Sequence, residues 1–253
     1  MRKLALVFPL LLLLALGRVA AAETKTLLDY VEAGCPSPSK TWGGMDYGTV
    51  LRMTQAGELP VLRRSDKELG PVFDRLVSNA NLLGLKHRTV PVQMRFGEAA
   101  TIMNGTGRLL GLYLNQFAKG EKVAVEMAAL SAFLLDVMAT TFELADEFMA
   151  SVPVEKQTEQ MKEGLQQMQQ GMIQSFEGAL VTGTDSVSLA TEDQVVLLAA
   201  FAAHFPRIQP LLPDTVVAEF QRKVSQLMVA ERNEQVRYTL EKIQEGFRNY
   251  RKK

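Results

Sequence analysis

Residues 121–149 read EKVAVEMAALSAFLLDVMATTFELADEFM, and this stretch decides the fold. Stepping alternately four and three residues from Val123 gives Val123, Met127, Leu130, Leu134, Val137, Thr141, Leu144 and Phe148, of which only Thr141 is polar. That spacing is one face of an α-helix. A second line, Ala124, Ala128, Ser131, Leu135, Met138, Phe142, Ala145 and Met149, runs beside it and breaks only at Ser131. Two adjacent lines make an apolar surface wider than a single seam, so the helix is expected to be enclosed by others. A bilayer span competes with this reading, but Glu126 and Asp136 would each cost roughly 2.5–3.5 kcal/mol near its centre. A core helix is the better account.

The next helix is expected over Val154–Val181, antiparallel to the first, because the joint Ala150–Pro153 is too short for anything but a hairpin. Its expected inner stripe is Val154, Thr158, Met161, Leu165, Met168, Met172 and Phe176, with glutamines mostly outside it. Gly164, Gly171 and Gly178 recur every seven residues along one line. Each costs about 1 kcal/mol of helix propensity, which predicts that another backbone or a ligand comes close there. Gly164, Met168, Gly171, Met172 and Gly178 are therefore the candidate contact face.

Toward the N-terminus, Gly97–Phe117 reads as helix, with Gly105, Gly107 and Gly111 letting a neighbour approach. Lys86–Phe96 is the one place where the period shifts toward two, and Val90, Val92, Met94 and Phe96 predict an extended segment. Ser65 and Glu68 have capping-box spacing, opening a helix whose inner face is Leu69, Phe73, Leu76, Val77, Ala80 and Leu83. Short helices are expected over Glu23–Ala33 and Asp46–Ala56, joined by a Pro/Ser/Gly loop that the only tryptophan, Trp42, pins to the body. Toward the C-terminus, Val195–Phe205 is a short apolar helix ended by Pro206. Asp214 then opens a last helix to about Tyr250, whose apolar phase changes after Leu227. The fold class expected is all-α, an elongated multi-helix bundle with long antiparallel helices around a buried central helix.

Met1–Lys3 is basic, Leu4–Leu16 apolar, and Ala20–Ala22 small, the three-part form of a secretory signal cut near Ala22. The expected organisation is a signal over residues 1–22, short helices and a loop over 23–64, and the bundle over 65–253. Residues 1–22 hold three of the 28 Lys+Arg and none of the 28 Asp+Glu, so their removal takes the formal charge from 0 to −3. That balance gives no electrostatic reason to bind nucleic acid or anionic lipid. The expected location is extracytoplasmic, periplasmic or secreted, with no membrane contact beyond the signal. Cys35 is the only cysteine, so no internal disulfide can form.

Catalytic signatures are missing from the sequence. There is no P-loop, nucleophile elbow, EF-hand loop, CxxC or HExxH. Two histidines, His87 and His204, are too few for a metal centre, and His204 reads as a cation capping the end of its helix. Glu126 and Asp136 should lie at an edge of the burial or be paired, with Arg108 as a candidate cation. The methionines read as core filling rather than copper ligands, so no metal and no cofactor is expected. The function these features suggest is a non-enzymatic exported protein that binds a macromolecular partner, or itself, through a helical face. The alternative is a carrier holding a hydrophobic small molecule between the central helix and the Gly164/Gly171/Gly178 face.

Overall fold

The computed structural model describes residues 25–87 and 89–250, all helix, turn and loop, with no strand among them. The expected signal segment lies outside these residues. In chain order the α-helices are α1 (Leu27–Glu32), α2 (Gly44–Gln55), α3 (Gly70–Leu76), α4 (Val92–Ala118), α5 (Ala124–Ser151), α6 (Glu159–Thr182), α7 (Thr191–Ile208), α8 (Asp214–Ala230) and α9 (Glu234–Tyr250). Short 3-10 turns occupy Asn79–Lys86, Val154–Lys156 and Gln209–Leu211.

The long apolar stretch is α5, and its two lines face two different cores. Val123, Met127, Leu130, Val137 and Leu144 pack into a cluster with α2, α3 and α4. Ala128, Leu135 and Phe142 pack into a second cluster with α6 to α9. This is why the helix carries two lines instead of one. It is long and apolar enough to cross a bilayer, yet 67% of its most apolar window is buried against the rest of the chain. Leu130 and Val137 are completely covered.

Around the first core, Trp42 pins its loop as expected: Nε1 donates to Ser37 O at 2.9 Å and the backbone amide to Asn81 Oδ1 at 2.9 Å. Tyr47 stacks on Phe133 of α5 and donates its hydroxyl to Leu76 O at 2.7 Å, so α2, α3 and α5 meet on one ring. Gly105 of α4 lies against it; a Cβ there would fall 2.7 Å from Tyr47 Cβ, which explains one of the three α4 glycines. Gly107 and Gly111 have no such neighbour. Cys35 is buried at 3% exposure, and burial pushes its thiol up to about 11.

Several expectations are corrected. The extended segment at Lys86–Phe96 is not a strand: Pro91 precedes the first turn of α4 and its carbonyl accepts from the Met94 and Arg95 amides at 3.0 and 3.2 Å. Proline suits a helix start, where no amide is missed, as well as it suits a strand edge. The capping box does not form either. Asp66 Oδ1 takes the amides of Glu68 and Leu69, while Glu68 reaches away to cap Leu27 N at 3.0 Å, so α3 starts only at Gly70. Leu83 consequently lies on a 3-10 turn, 56% exposed, instead of on an inner face. Pro206 sits inside α7 rather than ending it, since three residues from the C-terminus it removes a single intrahelical bond. The last long helix is two helices. Asn233 breaks it, its Oδ1 taking the amides of Gln235 and Val236 to start α9, whose Val236, Leu240, Ile243 and Phe247 are buried in the new phase.

Candidate functional site

Arg95 near the start of α4 grips Glu147 near the end of α5, at 2.6 and 3.3 Å, and Phe96 stacks on Phe148, so α4 and α5 run in opposite directions. On the other side of α5 lies α6. Its buried residues, Met172, Phe176, Ala179 and Leu180, all fall in its second half, where Phe176 meets Phe201 and Phe205 of α7. The first half is anchored less deeply. Met161, Leu165 and Met168 are only half-buried, and Val154, expected on the inner stripe, is 79% exposed on the preceding turn. The joint is longer than expected, running from the end of α5 at Ser151 to the start of α6 at Glu159, and Gln157 Nε2 ties it to Met149 O and Val152 O. The packing is also shallower than the expected inner stripe implies, because α4 and α7 cover α5 and leave α6 a narrower share.

Two apolar recesses result, both floored by α5. The lower one, about 280 Å³, lies among Phe96, Ala145, Phe148, Met149, Met161, Gly164, Leu165 and Met168. The upper one, about 200 Å³, lies among Leu110, Leu114, Met127, Ser131, Leu134, Leu135, Ser175, Gly178 and Thr182, with Leu189 and Leu197 closing it from the side of α7. No ionised side chain lines either. Of the candidate contact face, Gly164 and Met168 line the lower recess and Gly178 the upper. Gly171 lines neither, and Met172 is buried in the second core.

The expectation that the three glycines admit a neighbouring backbone of the same chain is not met. Gly164, Gly171 and Gly178 are exposed, and a Cβ on any of them would meet nothing within 4 Å. Gly171→Ala is therefore expected to stabilise the protein by about 0.5–1 kcal/mol through helix propensity alone. Urea unfolding would show it as a raised midpoint at unchanged slope.

The buried carboxylates of α5 have partners that the sequence did not suggest. Glu126 accepts the Arg64 amide at 2.8 Å. Asp136 meets Arg207 of α7 at 2.5 Å, not Arg108, which is exposed on α4. Arg207 also grips Glu143 with two nitrogens, at 2.6 and 3.0 Å, and reaches Thr140 Oγ1 at 2.9 Å. His204 lies beside them, its Nδ1 3.2 Å from Arg207 Nη1 and 3.4 Å from Asp136. A guanidinium can only donate, so Nδ1 accepts from Arg207 and the imidazole is neutral. His204 is thus part of a side-chain network that joins α7 to α5, before the end of α7 at Ile208, correcting its reading as a capping cation.

Burial lowers the His204 pKa; Asp136 and Glu143 oppose the shift, and Arg207 and Lys86 reinforce it. Since the folded value lies below the unfolded value near 6.5, stability is fully present above about pH 6.5 and falls as pH drops through the folded pKa. Thermal melts between pH 7.5 and 5 should show this decline, and His204→Gln should flatten it over about pH 5–6.5.

Among the described residues no group of three or more His, Cys, Asp or Glu side chains is placed to hold a metal ion. The charged network is closed on itself, and neither recess touches it. What the arrangement can do is bury apolar surface. No protein-family model matches the chain, and neither a curated protein nor a solved structure matches it.

The sequence reading missed the α4 wall. Phe96, Met103, Gly107, Leu110 and Leu114 recur at steps of seven, four, three and four residues, all on one helical line, and that spacing could have found it.

Proposed function

We propose that this protein is a non-enzymatic binding protein that accepts an apolar guest in the groove between α4 and α6, on the floor made by α5. One observation carries the reading: the two recesses, about 200 and 280 Å³, are lined by apolar and uncharged polar side chains from all three helices. Apolar concavities are the default binding sites of proteins that lack a polar catalytic cleft. Met127, Met149, Met161 and Met168 on their walls suit a guest of variable shape, because an unbranched thioether side chain repacks at low cost. Two of the three α6 glycines expected beside a carried hydrophobic molecule, Gly164 and Gly178, line the recesses, and this supports the reading.

A partner protein is the second reading. It is favoured by the exposed strip at Gly164, Gly171 and Gly178, where another backbone could approach with no side chain in the way. Native mass spectrometry of the purified protein distinguishes the two. A mass excess that solvent extraction removes supports the apolar guest. A guest-free protein that takes up no apolar probe and elutes as a stable dimer or heteromer overturns it in favour of the partner.

A further inference from the structure

The two recesses share a register. On α6 the lining positions 161, 164 and 168 of the lower recess continue as 175, 178 and 182 of the upper. On α4, Phe96 belongs to one and Leu110 and Leu114 to the other, all on one helical line. From Ser131 to Phe148 along α5 is about 25 Å at 1.5 Å per residue. The positions falling between the recesses on these lines are Met103, Gly107, Met138, Phe142 and Gly171. The two methionines are only half-buried, and the two glycines have open space where a side chain would stand. Phe142 is the one ring among them, and it is buried in the second core.

Resting on the reading of this groove as an apolar-guest site, we infer that the two recesses are the ends of one groove and that its guest is a single extended aliphatic chain. Volume decides against a helix: three turns of a helix about 10 Å across displace on the order of 1,200 Å³, several times either recess. Charge decides against a guest with a buried ionised group, because no lining side chain could pair with it, and a lone buried charge is strongly disfavoured. A methylene chain satisfies both limits. Met103 and Met138 turn aside to let it pass, and any polar end remains at a mouth of the groove.

The test is equilibrium binding of radiolabelled 1-octadecanol, 1-octanol and naphthalene to the full protein and to Gly107→Phe and Gly171→Phe. Each variant plugs the middle from an opposite wall, at a position where the fold has room. One octadecanol per chain is expected, roughly tenfold or more tighter than octanol, the ratio that burying only about two further methylenes yields. In either variant octadecanol should weaken by about tenfold or more while octanol and naphthalene are unaffected. If the short probes bind but octadecanol binds no tighter, or neither plug changes it, the single-chain inference is wrong and the apolar-site reading stands. If none of the three binds, both fall.

Discussion

Replacing Arg207 by alanine is expected to cost about 3–5 kcal/mol of folding stability, the loss that follows when one partner of a buried ion pair is removed. The loss comes from what stays behind. Asp136 is 7% exposed on the helix that carries both cores, and its neighbours after the substitution are a neutral imidazole and Thr140. Glu143 loses two hydrogen bonds as well, but its more exposed side chain can turn to water. Urea unfolding measures the loss directly. Adding Asp136→Leu to Arg207→Ala should recover much of it, since the uncompensated carboxylate is then gone; a double variant as unstable as the single one would show that Arg207 acts by packing instead. The variant should also respond to pH differently from the parent, because His204 then faces Asp136 without an adjacent guanidinium and gains a reason to take a proton below about pH 6.5.

Phe205→Ala is expected to lower stability by a similar amount, about 3–5 kcal/mol, through an enclosed cavity. Its ring, 2% exposed, lies 4.9 Å from Phe201, 4.7 Å from Phe220, 5.2 Å from Phe247 and 5.9 Å from Phe176. Helices α6, α7, α8 and α9 all meet on it, so no single helix can move in to fill the space. Phe205→Leu should cost much less, because most of the volume is kept. Both variants leave the α4–α6 groove untouched, and probe binding by the folded fraction should be unchanged. A loss of binding in parallel with stability would show that the second core, whose Leu135, Leu189 and Leu197 line the upper recess, passes the disturbance on to the site.

These residues also show how far the sequence could be read. The two lines of α5 were legible because a helix packed on two sides must show apolar residues at both sets of spacings, and each line found its own core. The burial of Trp42 and the new phase of α9 were legible for the same local reasons. What failed was set by distant contacts. Pro91 and Pro206 have the same local chemistry at an element's start, end or interior, and the surrounding helices decide which. Glu68 is in range of the Ser65 amide by spacing, yet α1 claims it. Asp136 had to find a cation somewhere; that it lies 71 residues away on α7 is a fact of tertiary packing. The glycines of α6 could be read two ways, as a seat for another backbone or for a ligand, and within the chain no backbone takes that seat. Even so, the floor and one wall of the groove were read from the sequence, and the opposite wall on α4 left a spacing that the reading passed over.

The place of Cys35 bears on how copies of this chain could associate. It is the only sulfhydryl in the protein, it lies almost wholly inside the fold, and at neutral pH it keeps its proton. Crosslinking between intact subunits through oxidised sulfur is thereby closed off. Any assembly of copies must come apart on dilution, and adding a reductant should make no difference to it.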